Sequence, residues 1–263
     1  AVALVVGLDW WDVIHHTLTP SITFSNDQLI LVCAILGTTI SPYLFFWQTS
    51  QEVEEEILQG ETSVQKRVHA VTPEVIRKMR TDVWSGMAFS NLTTFFIVAA
   101  CAGTLHAHGM NDIATAEQAA LALKSFGDFA FLFFALGIIG TGMLAVPVLA
   151  GSTAYAMAES FGWRYGLFRK WKQATAFYGV IIVSMALGII ANLMHLDPIK
   201  GLIYAAAANG IVAPVILYFV VQLSGNRKVM GDHANGRVAT WLGWITIISM
   251  AVSGIAALWA MFS

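Results

Sequence analysis

The sequence predicts an all-α membrane protein, and three observations carry that prediction. Hydrophobic residues fill 57% of the 263 positions and charged residues 11%, with a mean hydropathy of +0.68. That is too apolar for a soluble domain of this length and too poor in charge to cover its surface. Apolar runs of roughly 20 residues, the length that crosses a bilayer as a helix, recur along the chain. Lysine and arginine gather in every second connection between the runs, as cytoplasmic loops do. The spans fall at about 29–48, 83–105, 124–148, 174–193, 199–223 and 241–262, in a single, incomplete transmembrane domain.

The chain opens at Ala1 with no basic flank before its first apolar residues, so it does not read as a signal peptide. Residues 1–8 are too short to span and read as the end of a truncated helix. The first complete run, 29–47, holds Gly37-Thr38-Thr39-Ile40-Ser41-Pro42-Tyr43. Ser41-Pro42 is a helix-start signal, because serine can cap an N-terminus and proline fits the first helical position. The run therefore predicts two half-helices meeting at membrane depth, the first ending near residues 37–39. Its last carbonyls and negative dipole end suit a cation. The other reading is a plain proline kink whose freed groups are met by neighbouring hydroxyls. Past the break, Glu52, Glu54, Glu55 and Glu56 crowd the end of the run. They read either as a solvated helix face or as an electrostatic sink at a cation exit.

Segment 49–82 carries Lys66, Arg67, Arg77, Lys78 and Arg80; segment 149–173 carries Arg164, Arg169, Lys170 and Lys172; segment 224–240 carries Arg227, Lys228 and Arg237. These are twelve of the fourteen basic residues. Lys124, Lys200 and the aspartates 9, 12, 27, 112 and 197 fall on the other side. The loop from Asp9 to Gln28 and the C-terminal Ser263 are therefore expected outside. Thr72-Pro73-Glu74 should open a cytoplasmic amphipathic helix, and Asp197-Pro198 the fifth complete span. Residues 121–158 could be drawn as two helices, but a second crossing would put the later basic loops outside. One span bent at Pro147, with residues 154–161 running into the cytoplasm, is expected instead. Asn209-Gly210 and Ala213-Pro214 predict a softer interruption of the fifth span.

Composition excludes several function classes. A net charge of −2 leaves no broad basic surface for nucleic acid. Cys33 and Cys101 both lie in apolar runs and support neither a disulfide framework nor a cysteine metal site. The pairs His15-His16 and His106/His108 read as solvated loop residues, and no hydrolase or metalloprotease motif occurs, so an enzyme is not expected. The polar residues expected at membrane depth are Thr38, Thr39, Ser41, Tyr43, Gln48, Asn91, Thr93, Thr94, Ser184 and Asn209. None is charged at neutral pH, so this chain alone brings no carboxylate to a divalent cation. Most read as hydrogen-bonding packing groups; Asn91 and Asn209 stand apart because an amide is costlier to bury.

Gly37-Thr38-Thr39-Ile40-Ser41-Pro42-Tyr43 resembles the sixth-helix signature of the Nramp divalent-metal transporters, Gly-Ala-Thr-x-Met-Pro-His. Asn91 stands where the family's seventh helix carries an asparagine. Ala150-Gly151 with Met157-Ala158-Glu159-Ser160-Phe161 is similar to the family's Ala-Gly-Gln-x-x-Met-Glu-Gly-Phe run, and Met230-Gly231 with Asn235 to its Met-Gly-x-x-x-Asn segment. The resemblance covers the whole chain. It implies the LeuT-type inverted-repeat fold, with this chain holding the end of helix five, the second repeat and one further helix. The first repeat, whose Asp-Pro-Gly-Asn supplies the anionic metal ligand, would be a missing N-terminal half.

The resemblance implies a secondary transporter of divalent cations of the Mn, Fe or Mg class, in a cell membrane such as the bacterial inner membrane. The cation and the bilayer are its partners, and no resident cofactor is implied. Metal ligands would be the Thr38 carbonyl and Ser41, which replaces the family methionine, with Asn209 substituting for a tenth-helix glutamine that falls on Ala206. Tyr43 and Gln48 replace two family histidines, so they and Asn91 are assigned to the pathway or to coupling. An organic-solute carrier of the same fold, or a membrane subunit without transport, are the alternatives.

Overall fold

The computed structural model describes residues 8–19, 25–103, 120, 128–194 and 196–262, and among these the regular structure is helical. Residues 1–7, most of the expected stub, lie outside that set, as do Ser21, His106, His108, Asn111, Asp112, Lys124 and Ser263. The helices are α1 (Trp10–Leu18), α2 (Asn26–Thr39), α3 (Pro42–Leu58), α4 (Val64–Ala70), α5 (Pro73–Cys101), α6 (Asp128–Phe161), α7 (Thr175–Leu193), α8 (Pro198–Ser224), α9 (Arg227–Met230) and α10 (Arg237–Phe262). Stretches long and apolar enough to cross a membrane are Asn26–Leu58, Pro73–Cys101, Phe131–Phe161, Thr175–Leu193, Pro198–Ser224 and Arg237–Phe262.

Local chemistry explains most helix starts. Thr72 Oγ1 accepts the Val75 N–H at 3.3 Å with Pro73 in the first turn, and Asp197 Oδ1 accepts from Ile199 and Lys200 at 3.0 and 3.1 Å ahead of Pro198. Ser25 and Ser63 cap α2 and α4 in the same way. Three expectations are corrected. The segment from Asp9 to Gln28 is not all loop, because Asp9 accepts from the Trp11 and Asp12 amides and starts α1. The helix begun at Thr72-Pro73 does not end before the next span but continues to Cys101, since neither proline nor a second cap interrupts it. Finally, α8 runs through Asn209-Gly210 and Pro214 without a stop. α6 likewise continues through Pro147.

The chain groups into two compact units. One comprises Ala1–Pro20 and Phe46–Met194, the other Ser21–Phe45 and His195–Ser263. In the second unit, α2, α8 and α10 pack on one another through small residues. A Cβ on Gly37 would collide with the Ala206 carbonyl and the Gly210 backbone, and one on Gly210 would come within 2.7 Å of Cys33 Sγ. Ala34, Ala206 and Ala207 form the buried seam beside them. Lipid offers no hydrophobic drive for helices to associate, so such close backbone approach supplies the contact. Cys33 is buried and free, as its apolar setting predicts.

In the first unit, α6 packs on α7 around Ala154, Tyr155, Ala158, Ala174 and Phe177, with Trp47 and Tyr178 against them. Gly151 makes room for Trp47: a Cβ there would fall on the indole ring.

Candidate functional site

α2 ends at Thr39 and α3 starts at Pro42, so the apolar run is broken where Ser41-Pro42 predicts. Ile40 is out of the helix, and its N–H still donates to the Leu36 carbonyl at 2.9 Å. Ser41 behaves differently from a forward-facing cap. Its side chain turns back, with Oγ 2.8 Å from the Thr38 carbonyl oxygen and 3.1 Å from that of Gly37. A hydroxyl has one proton, so these two carbonyls share a single donor. Thr38 and Thr39 also turn their hydroxyls onto their own helix, both at 2.8 Å from the Ile35 carbonyl. At the end of α2 the Leu36 carbonyl is thus met by the Ile40 N–H, and those of Gly37 and Thr38 share the Ser41 hydroxyl. Each carbonyl has two lone pairs, however, and Thr38 keeps acceptor capacity beyond the Ser41 bond.

Ser41 is 2% exposed. Thr38, Ser41, Tyr43 and Asn209 all belong to the second unit. Asn209 is half-buried on α8 between Ala206 and Gly210, the two residues that meet Gly37. Gln48 and Asn91 belong to the first unit, where both are exposed. Asn91 Nδ2 donates to the Met87 carbonyl of its own helix at 2.9 Å, as Thr93 and Thr94 do to Phe89 and Ser90. Among the described residues no three histidines, cysteines or carboxylates come together to hold a metal. The candidate ligands around the break are neutral oxygens, so a divalent ion there would need its charge met by other residues.

A second polar cluster lies wholly in the first unit. Glu54 is 7% exposed, which corrects the view of the four glutamates as one solvated face. Its carboxylate accepts from the Tyr155 hydroxyl, from the Leu167 N–H at 2.9 Å and from the Phe168 N–H at 3.1 Å. Gln51 Nε2 donates to the Tyr155 oxygen at 3.2 Å. Glu55 stays exposed, and Glu56 pairs with Arg67 at 3.5 Å. Beside Glu54 opens a cleft of about 450 Å³ lined by Ser50, Glu159, Trp163, Arg164 and Arg169 among others. Burial, with the Glu159 charge next, pushes the Tyr165 phenol at this cleft above its ordinary range. Sequence reasoning missed Glu54 because its partners lie more than a hundred residues away.

The family model described as natural resistance-associated macrophage protein-like, Nramp, matches residues 1–260. The chain belongs to the Nramp family. Similar curated relatives are each described as a divalent metal cation transporter MntH. The one from Mycobacterium tuberculosis H37Rv is 22% identical over 88% of this chain and 50% of its own length. Those from Deinococcus radiodurans and Yersinia enterocolitica are both 25% identical, over 85% and 89% of this chain and 48% and 51% of their own. This Nramp chain therefore spans about half the length of the relatives it matches. It is an all-α, multi-pass membrane protein of a family whose named relatives are transporters and not enzymes.

Proposed function

We propose that the complete polypeptide carrying this chain is a secondary transporter that moves divalent metal cations of the Mn, Fe or Mg class across a membrane by alternating access. The observation that carries this reading is the break between Thr39 and Pro42, which leaves irregular backbone and clustered oxygens inside an apolar run of a family member. Irregular backbone is tolerated at membrane depth where protein or a watery cavity meets its polar groups. In this reading the Thr38 carbonyl is a direct ligand. Ser41 either keeps its proton on that carbonyl or rotates and offers an oxygen lone pair, while Asn209 adds an amide oxygen from α8. The anionic ligand comes from the N-terminal half on the LeuT-type fold, and Tyr43, Gln48 and Asn91 serve the pathway or its coupling. Hard oxygen donors of this kind suit Mg²⁺ and Mn²⁺ better than a thioether would.

The test is uptake of Mn²⁺, Fe²⁺ and Mg²⁺ by the complete protein in proteoliposomes, with an amino acid and a sugar as organic controls. Saturable uptake of at least one of the metals, lost on Thr38→Pro or weakened by Asn209→Ala, is the expected result. Uptake of an organic solute and of none of the metals would overturn it.

A further inference from the structure

Trp47, Gln51 and Glu54 fall at i, i+4 and i+7 of α3 and so share one helix face. All three meet Tyr155 of α6. The Trp47 ring stands edge-on to it with centroids 6.0 Å apart, Gln51 donates to its oxygen at 3.2 Å, and Glu54 accepts its proton. Tyr155 is itself fully buried, and its ring centroid lies 4.8 Å from that of Phe177. A carboxylate taken out of water is costly unless its oxygens are met by donors. Among the described residues no lysine or arginine pairs with Glu54; oriented neutral donors meet it instead, two of them backbone amides of the α6–α7 connection. That connection is shaped for the purpose. Gly166 has φ +124°, which only glycine adopts readily, and a Cβ there would sit 3.1 Å from Glu54 Oε1 and against the Phe168 ring.

We propose that this face is a clamp and that Glu54 is a positioning residue for transport. The clamp joins α3 to the α6–α7 connection, so the helix that begins at the break can move only together with that connection. Glu54 never touches the cation. Its effect is on the rate of the conformational step, not on affinity. The inference rests on the transport reading above.

The test uses the complete protein in proteoliposomes with Mn²⁺, Fe²⁺ and Mg²⁺, alongside amide hydrogen exchange of Leu167 and Phe168. In Glu54→Gln the amide nitrogen turns a donor toward a backbone N–H. Its maximal uptake rate should fall on the order of tenfold. The half-saturating concentration should stay within about twofold, and the two amides should lose protection. Gly166→Ala, which leaves the charge alone, should move both readouts the same way. Tyr155→Phe, keeping both backbone donors, should do so more weakly, and it keeps the test open if Glu54→Gln does not fold. A folded Glu54→Gln with unchanged rate overturns the clamp, and so does a raised half-saturating concentration at unchanged maximal rate. Wild-type protein that takes up none of the three cations overturns the transport reading instead.

Discussion

The Ser41 hydroxyl lies 2.8 Å from the carbonyl oxygen of Thr38, so the side chain that opens the second half-helix closes the end of the first. One hydroxyl proton thus serves two of the last carbonyls of α2, and acceptor capacity is left at the break. The bond also puts a proton donor on the atom that the proposed function assigns to the cation. Removing the hydroxyl in Ser41→Ala should destabilise the break by about 1 kcal/mol. The Ile40 amide, bonded to Leu36, should then exchange faster; unchanged exchange would show that Ser41 does not hold the helix end.

Gly37 and Gly210 set how closely α2 and α8 approach. A Cβ on Gly37 would lie 2.8 Å from Gly210 Cα and against further backbone atoms that cannot turn aside. Gly37→Ala should therefore cost on the order of 3 kcal/mol and lower the yield of folded protein in detergent. Gly137→Ala, where a Cβ meets open space, is the control and should change little. Equal thermal unfolding of the two variants would contradict this account of the packing.

The distribution of Lys and Arg predicts sidedness. Cysteines introduced at Gln65 and Asn226 should react with a membrane-impermeant maleimide only from the cytoplasmic side, and ones at Ser21 and Asn111 only from outside. Labelling of any one of them from the wrong side would mean that the number of crossings is misjudged.

The backbone N–H of Lys200 and that of Ile199 hold the Asp197 carboxyl below its usual range. A depressed folded-state value means the cap is fully present above the carboxyl's ordinary range and is lost as pH falls through the lowered one. Fraying at the start of α8, read from exchange of the Ile199 and Lys200 amides, should therefore rise only on strong acidification. In Asp197→Asn, which still caps, that pH dependence should vanish.

What the sequence made legible was local. Thr72, Asp197 and the Ser41-Pro42 pair act on atoms within four residues of themselves, and each starts or stops a helix where its chemistry requires. Glu54 shows the limit, because nothing in Glu52 to Glu56 distinguishes the one carboxylate whose donors arrive from Tyr155, Leu167 and Phe168. The direction of the Ser41 hydroxyl was equally hidden: forward capping and backward bonding use the same residue type. At Asn209-Gly210 the pattern suggested an interruption, whereas the missing Cβ serves contact with Cys33 in an unbroken helix.

Passage of a cation at the break around Ser41 can be read from Ser41→Met in the complete protein. The substitution exchanges a hard oxygen for a polarizable sulfur beside the Thr38 carbonyl while the charge of the site stays the same. Competition of Cd²⁺ and Mg²⁺ for uptake into proteoliposomes should then shift toward Cd²⁺ by roughly tenfold, about 1–2 kcal/mol. An unchanged preference, in a variant that folds and transports, would place Ser41 outside the cation's shell and contradict the assignment.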